Sequence, residues 1–189
     1  MTATALEVEA PITTWQIDGA HTGVEFAVKH LMISTVRGHF SDVTGTLSGD
    51  LSNPDTFSLD VKIGAESIDT RQEQRDAHLR SPDFFDAATF PTLEFKGKRI
   101  DGDVSGDFKL YGDMTIRGVT RELVLDVTNE GSAKDPWGNS RIGFSARGKL
   151  NRSAYGLIYN QALEAGGVML GDEIKISVDA EFTAVAAEA

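Results

Sequence analysis

Between residues 24 and 182 apolar and polar side chains alternate in short runs. Val24, Phe26 and Val28 are interleaved with Glu25, Ala27 and Lys29, and Phe57, Leu59, Val61 and Ile63 with Ser58, Asp60 and Lys62. Phe108, Leu110, Met114 and Ile116 alternate with Lys109, Tyr111, Asp113, Thr115 and Arg117. Leu123, Leu125 and Val127 alternate with Val124, Asp126 and Thr128, and Ile174, Ile176, Val178 and Phe182 with Lys175, Ser177, Asp179 and Glu181. Period two marks strands with one buried face, because successive side chains of an extended backbone point to opposite sides. Weaker versions run through 43–51, 93–99 and 142–150. The pattern predicts about eight strands, each with one apolar and one wet face, which is antiparallel behaviour.

Turn chemistry separates these runs: SNPD at 52–55, DGDVSGD at 101–107, RGVT at 117–120 and DPWGN at 135–139. Glycines inside the runs, at 45, 112, 143 and 148, suit bends and close backbone approach in a strongly curved sheet. An up-and-down barrel accommodates all of this, since closure removes exposed edges. The predicted fold is all-β: an eight-stranded antiparallel barrel over 14–184, preceded by a flexible N-terminal tail over 1–13.

One stretch breaks the alternation. From Asp69 onwards, TRQEQRDAHL favours helix, with Thr70 as N-cap and Glu73 three positions on in the spacing of a capping box. Ser81, Pro82 and Asp83 read as a second helix start, with Pro at the first helical position. A short helical insert of about twenty residues therefore interrupts the barrel.

Composition narrows the function. The chain has 189 residues, 40% apolar and 25% charged, which is a globular composition with room for one core. A formal net charge of −11 repels a phosphate backbone, so nucleic acid is excluded as a partner. With no basic amphipathic segment and no apolar run long enough to span a bilayer, stable membrane insertion is not expected. Cysteine is absent, which removes disulfides, thiolate nucleophiles and the common structural zinc sites. The N-terminus lacks the basic and apolar regions of a secretory signal, which points to a cytoplasmic location. A homodimer would suit a barrel with exposed strand faces.

Chemical candidates are few. His21, His30 and His39 fall nine residues apart and His78 lies in the insert; an odd spacing does not share one strand face, although neighbouring strands could still converge. Arg75, Asp76 and His78 could form an acid–base group, or could simply fasten the insert to the barrel and leave Phe84, Phe85 and Phe90 to cover its apolar end. No nucleophile elbow, HExxH or phosphate-binding loop is present, and no motif requires a cofactor. Glu66, Asp69 and Asp76 read as caps and dipole partners, and Trp15 and Trp137 as barrel plugs.

An eight-stranded barrel is either just filled by its own side chains or holds one small ligand. Many inward positions are large, but Ala65, Gly112, Ala146, Gly148 and Ala180 leave space along one side, and an elongated apolar pocket is predicted. By alternation its lining is Phe26, Val28, Leu59, Val61, Ile63, Phe95, Leu110, Met114, Leu125, Phe144, Ile176 and Val178. A one-residue register error would put a whole strand's set outside.

WQIDGAHTGVEFAVKH at 15–30, RGHFSDVTGTL at 37–47, IDTRQEQRDAHLRSPDFFDAATFPTLEF at 68–95, LYGDMTIRGVTREL at 110–123 and FSARGKLNRSAYGL at 144–157 resemble the YceI-like family of lipid-binding proteins. The resemblance implies a lipocalin-like barrel closed at one end by a helix, although the lipocalin G-x-W signature is missing, Thr13 and Thr14 preceding Trp15. It further implies a non-enzymatic binding or carrier role for a polyprenyl chain or isoprenoid quinone held in the barrel. The polar head of such a ligand would meet Arg75, His78 or Tyr155. Residues 155–167 form either a loop over the pore or a partner surface. The alternatives are a histidine-dependent metal-binding or redox enzyme and an interaction module with a solid barrel.

Overall fold

The computed structural model describes residues 13–49, 56–163 and 167–185. Most of the expected N-terminal tail and the expected turn at 52–55 lie outside the described residues. Eleven strand segments form one sheet: β1 (Thr13–Ile17), β2 (Gly23–His30), β3 (Ser34–Phe40), β4 (Val43–Gly49), β5 (Ser58–Gly64), β6 (Ile68–Asp69), β7 (Thr92–Gly102), β8 (Asp107–Ile116), β9 (Val119–Lys134), β10 (Ser140–Asn151) and β11 (Leu170–Ala184). The single α-helix of the described residues, α1, spans Glu73–Arg80.

The eleven segments make eight barrel strands, because three neighbouring strands are each broken once. β1 and β2 are separated by a turn in which His21 N–H donates to the Asp18 carbonyl at 3.1 Å. β3 and β4 are separated by Ser41 and Asp42, and β5 and β6 by a 3-10 turn at Ala65–Ser67. Pairing then runs antiparallel from neighbour to neighbour: β2 with β3, β1 with β4, β4 with β5, and onward through β7, β8, β9, β10 and β11. β11 closes the barrel, pairing with β2 as Ile176↔Phe26 and with β1 as Phe182↔Ile17. The result is an eight-stranded antiparallel barrel, and closure leaves no long edge to be protected.

Two segments escape the alternation rule. β1 offers only Trp15 and Ile17 as inward apolar residues, and in β3 the inward run Val36, Gly38, Phe40 is broken by glycine. At Gly38 a Cβ would stand 2.7 Å from Phe26 Cε1, so the missing side chain is replaced by a neighbour's ring. Gly112 works the same way: its would-be Cβ meets the Phe95 ring and stands 2.6 Å from the Lys96 carbonyl oxygen. The expectation that Gly112 and Gly148 leave space is therefore corrected, since Phe95 and Leu125 fill those positions, and Ala65 is packed in the core.

The helical insert also differs from expectation. Thr70 does not cap α1; Gln72 does, its side chain accepting from Arg75 N–H at 2.5 Å. The Thr70 hydroxyl is instead drawn into a buried bond with Asp76. No second helix starts at Ser81: the chain from 82 to 89 makes turns, with Asp86 in the left-handed region at φ 48. Pro82 thus begins a turn and not a helix.

Candidate functional site

Inside the barrel lies a cavity of about 430 Å³. Apart from Thr22, Glu25, His30, Arg75, His78, Arg152 and the Tyr159 hydroxyl, its lining is wholly apolar. A cavity of this size and character is suited to burying apolar ligand surface. The structure places Phe26 and Val28 of β2, Leu59, Val61 and Ile63 of β5, Phe95 of β7, Leu110 and Met114 of β8, Leu125 of β9, Phe144 of β10, and Ile176 and Val178 of β11 around it. Arg75 and His78 also line it. Tyr155 does not: the 3-10 turn Arg152–Tyr155 ends the alternation of β10 and rotates Tyr155 into the core, where it is buried and burial raises its phenol pKa. Of the small residues, Ala146 and Ala180 do border the cavity.

The far end is sealed by a separate cluster of Leu47, Ile142 and Phe182 with Trp15 packed against it. Trp15 thus acts as a plug, although its indole N–H is buried without a partner. Trp137 does not plug anything; the turn between β9 and β10 carries it out into solvent.

At the other end the 70–91 segment forms a lid. Asp76 is buried and accepts from Thr70 N–H at 2.9 Å and from the Thr70 hydroxyl at 2.5 Å. Arg75 clasps the same residue, donating from Nε to the Thr70 hydroxyl at 2.7 Å and from Nη2 to its carbonyl at 2.8 Å. Arg80 donates to the Glu66 and Ile68 carbonyls, each at 2.8 Å. These bonds fix α1 across β6, because each buried polar group of the junction is matched by a partner. His78 Nε2 lies 2.8 Å from Asp83 Oδ2, and its ring meets those of Phe84 and Tyr159 edge-on. Phe84, Phe85 and Leu79 then face the cavity, so the polar side of the insert holds it down while the aromatic side covers the lumen.

The residue that alternation did not single out is Arg152. It is buried and lines the cavity, and its guanidinium donates to three backbone carbonyls: Gly171 at 2.9 Å, Leu157 at 2.5 Å and Tyr159 at 2.9 Å. Burial lowers its pKa, with Asp172 acting in the opposite direction. Arg152 therefore ties the segment after the 3-10 turn to the start of β11. Only its place in the resembling stretch 144–157 marked it in the sequence.

The histidines do not converge. His21 sits with Asp18 and Glu181, the only group of three possible metal ligands among the described residues, but Arg141 occupies that group. Its Nη1 donates to Asp18 at 2.6 Å and to Glu181, while Nε donates to Asp135 at 3.0 Å. His30 lies at the cavity mouth and His39 opposite Asp69 on β3. The Arg141 guanidinium, and then His21, hold the Asp18 carboxyl down to about 2. This cluster is an ion-paired clasp across the β1–β11 seam, with one guanidinium serving three carboxylates.

The YceI-like domain description matches residues 15–182. The chain belongs to the YceI-like family. The UPF0312 protein of Staphylococcus aureus strain USA300 is 40% identical over 173 residues, covering 91% of this chain and 98% of the relative. Among solved structures, the Campylobacter jejuni YCEI protein superposes with a TM-score of 0.70 at 33% identity, over 82% of this chain and 88% of that one. Burkholderia cenocepacia BcnA superposes with a TM-score of 0.75 at 20% identity, covering 87% and 98%. A polyisoprenoid binding domain from Saccharophagus degradans gives 0.69 at 12% identity, covering 90% and 98%. The last two likenesses concern the fold. In this YceI-like chain the RDAHLR stretch is thus the anchor of the lid, and no helix of the described residues is long and apolar enough to cross a membrane.

Proposed function

We propose that the protein is a non-enzymatic carrier that holds one long isoprenoid chain, a polyprenyl lipid or an isoprenoid quinone, inside the barrel. The observation that carries this reading is the cavity: about 430 Å³, lined almost wholly by apolar side chains along the barrel. The Saccharophagus degradans neighbour, described as a polyisoprenoid binding domain, points to the ligand class. At ~0.8 kcal/mol per buried CH₂, one buried isoprene unit contributes about 3–4 kcal/mol. Association itself costs at least ~4 kcal/mol, so several units must be buried and long chains are favoured over short ones. Arg75 and His78, at the lid, are positioned to meet a polar head while the chain lies against Phe26, Leu110, Met114 and Ile176.

A lumen substitution tests this against its outward neighbour. Ile176→Glu puts a carboxylate into the cavity and Lys175→Glu puts one on the outer wall of the same strand. With delipidated protein and a polyprenol supplied in detergent, Ile176→Glu is expected to abolish uptake while Lys175→Glu retains it. Equal uptake by both folded variants would place the lipid outside the lumen and refute the reading.

A further inference from the structure

The cavity mouth carries an apolar rim that the barrel does not need. The hairpin between β2 and β3 turns through Leu31, Met32 and Ile33, which are exposed, Ile33 to 83%. Leu31 and Met32 both adopt left-handed backbone, at φ 52 and 61, and Ile33 N–H closes the turn on the His30 carbonyl at 3.2 Å. Asn and Gly are the residues that take this conformation cheaply in a tight hairpin. Leu and Met there are a local penalty that folding does not explain, and such outliers cluster at functional sites.

The hairpin is joined to the second half of the rim. Leu31 N–H donates to the Met169 carbonyl at 2.7 Å, and Met169 lines the cavity. Next to it Val168 is exposed, bridged to Ala162. Ile158, exposed to 74%, stands between Leu157 and Tyr159, which both line the cavity. These five side chains therefore crown the end where His30, Tyr159 and the lid residue His78 border the lumen.

Charge sets the rim apart. In a chain with 25% charged residues and net charge −11, the stretches 31–36, 156–163 and 167–171 contain no Asp, Glu, Lys or Arg. An exposed apolar patch whose own described segments carry neither carboxylates nor basic residues, continuous with an apolar lumen, suits contact with the interfacial layer of a bilayer, and nothing in those segments is built to read anionic headgroups. We infer that Leu31, Met32, Ile33, Ile158 and Val168 form a reversible membrane-docking rim, by which the cavity mouth faces lipid during loading and release. This inference rests on the carrier reading above for its purpose, but its contact is separately measurable.

The test is flotation of the delipidated protein with phosphatidylcholine vesicles, alongside uptake of a polyprenol delivered in detergent. The wild type is expected to float with the vesicles, equally at low and high salt. Met32→Asp/Ile33→Asp, and independently Ile158→Asp on the other segment, are expected to reduce flotation tenfold or more while leaving detergent-delivered uptake unchanged. Wild type that stays with the soluble fraction, or variants that float as well as wild type, would overturn the docking rim. So would a wild-type dimer in solution that Ile33→Asp converts to a monomer without any vesicle binding, since the rim would then join two copies. Loss of detergent-delivered uptake in wild type would instead sink the carrier reading, with flotation still judging the rim.

Discussion

Arg152→Met removes a buried cation while keeping most of its volume. Three backbone carbonyls, those of Gly171, Leu157 and Tyr159, lose a charged donor at 2.5–2.9 Å. Hydrogen bonds to charged groups contribute ~1.5–3 kcal/mol each, so the gross loss is roughly 4–9 kcal/mol. Two effects offset it: the guanidinium's own desolvation, of several kcal/mol, is relieved, and the carbonyl of half-buried Tyr159 can recruit water. The net destabilisation expected is about 2–4 kcal/mol. With a urea slope of ~2 kcal/mol/M the unfolding midpoint should fall by ~1–2 M. Hydrogen exchange should rise first across 157–163 and 167–171, the segments whose carbonyls Arg152 holds, and Arg152→Lys should be intermediate because it keeps the charge but not the fork. A midpoint shift under ~0.2 M, or faster exchange spread evenly over the barrel, would refute the role of Arg152 as the clasp of the mouth.

Gly112→Ala should lower stability by ~1–3 kcal/mol, because its Cβ must displace the Phe95 ring or the Lys96 carbonyl; thermal unfolding checks it, and a neutral result would mean that β7 and β8 yield at no cost. Thr70→Val leaves buried Asp76 with one bond fewer and Arg75 Nε without its acceptor while Nη2 keeps the Thr70 carbonyl, so a loss of ~1–3 kcal/mol with faster proteolysis in the lid is expected, and an unchanged lid would refute the anchor. The Asp18 pKa is depressed to about 2, so its pairing stabilises the fold above the ordinary carboxylate range, near pH ~4, and is lost as pH falls towards 2. Arg141→Met should flatten that part of the stability–pH curve, whereas the part due to Asp135, held down to about 2 chiefly by Asn139, should persist until Asn139→Ala is added.

Much of this architecture was legible because barrel strands have one dry and one wet face. The alternation of Phe26, Leu110 and Ile176 with charged neighbours identified both the strands and their inner side, and all three line the cavity. It failed where side chains are exchanged between strands: glycines 112 and 148 read as gaps in the lumen, yet the Phe95 ring and the Leu125 side chain occupy the space. It failed again where polarity changes meaning with burial. Thr70 has the right spacing for a cap, but Asp76 is buried close by and takes its hydroxyl. Arg152 and Tyr155 share a 3-10 turn that neither period two nor helical period describes, so local pattern marks neither the buried cation nor the turn of the tyrosine into the core. The breaks that split three barrel strands are likewise set by tertiary curvature and leave little trace in local pattern.

The central claim is that the lumen holds an isoprenoid chain, and native mass spectrometry of the purified protein before and after incubation with an isoprenoid quinone tests it most directly. The account predicts one bound lipid per chain, with longer prenyl chains retained in preference to shorter ones and the adduct lost in Ile176→Glu. A bare polypeptide mass under every condition, from protein shown to be folded, would contradict it.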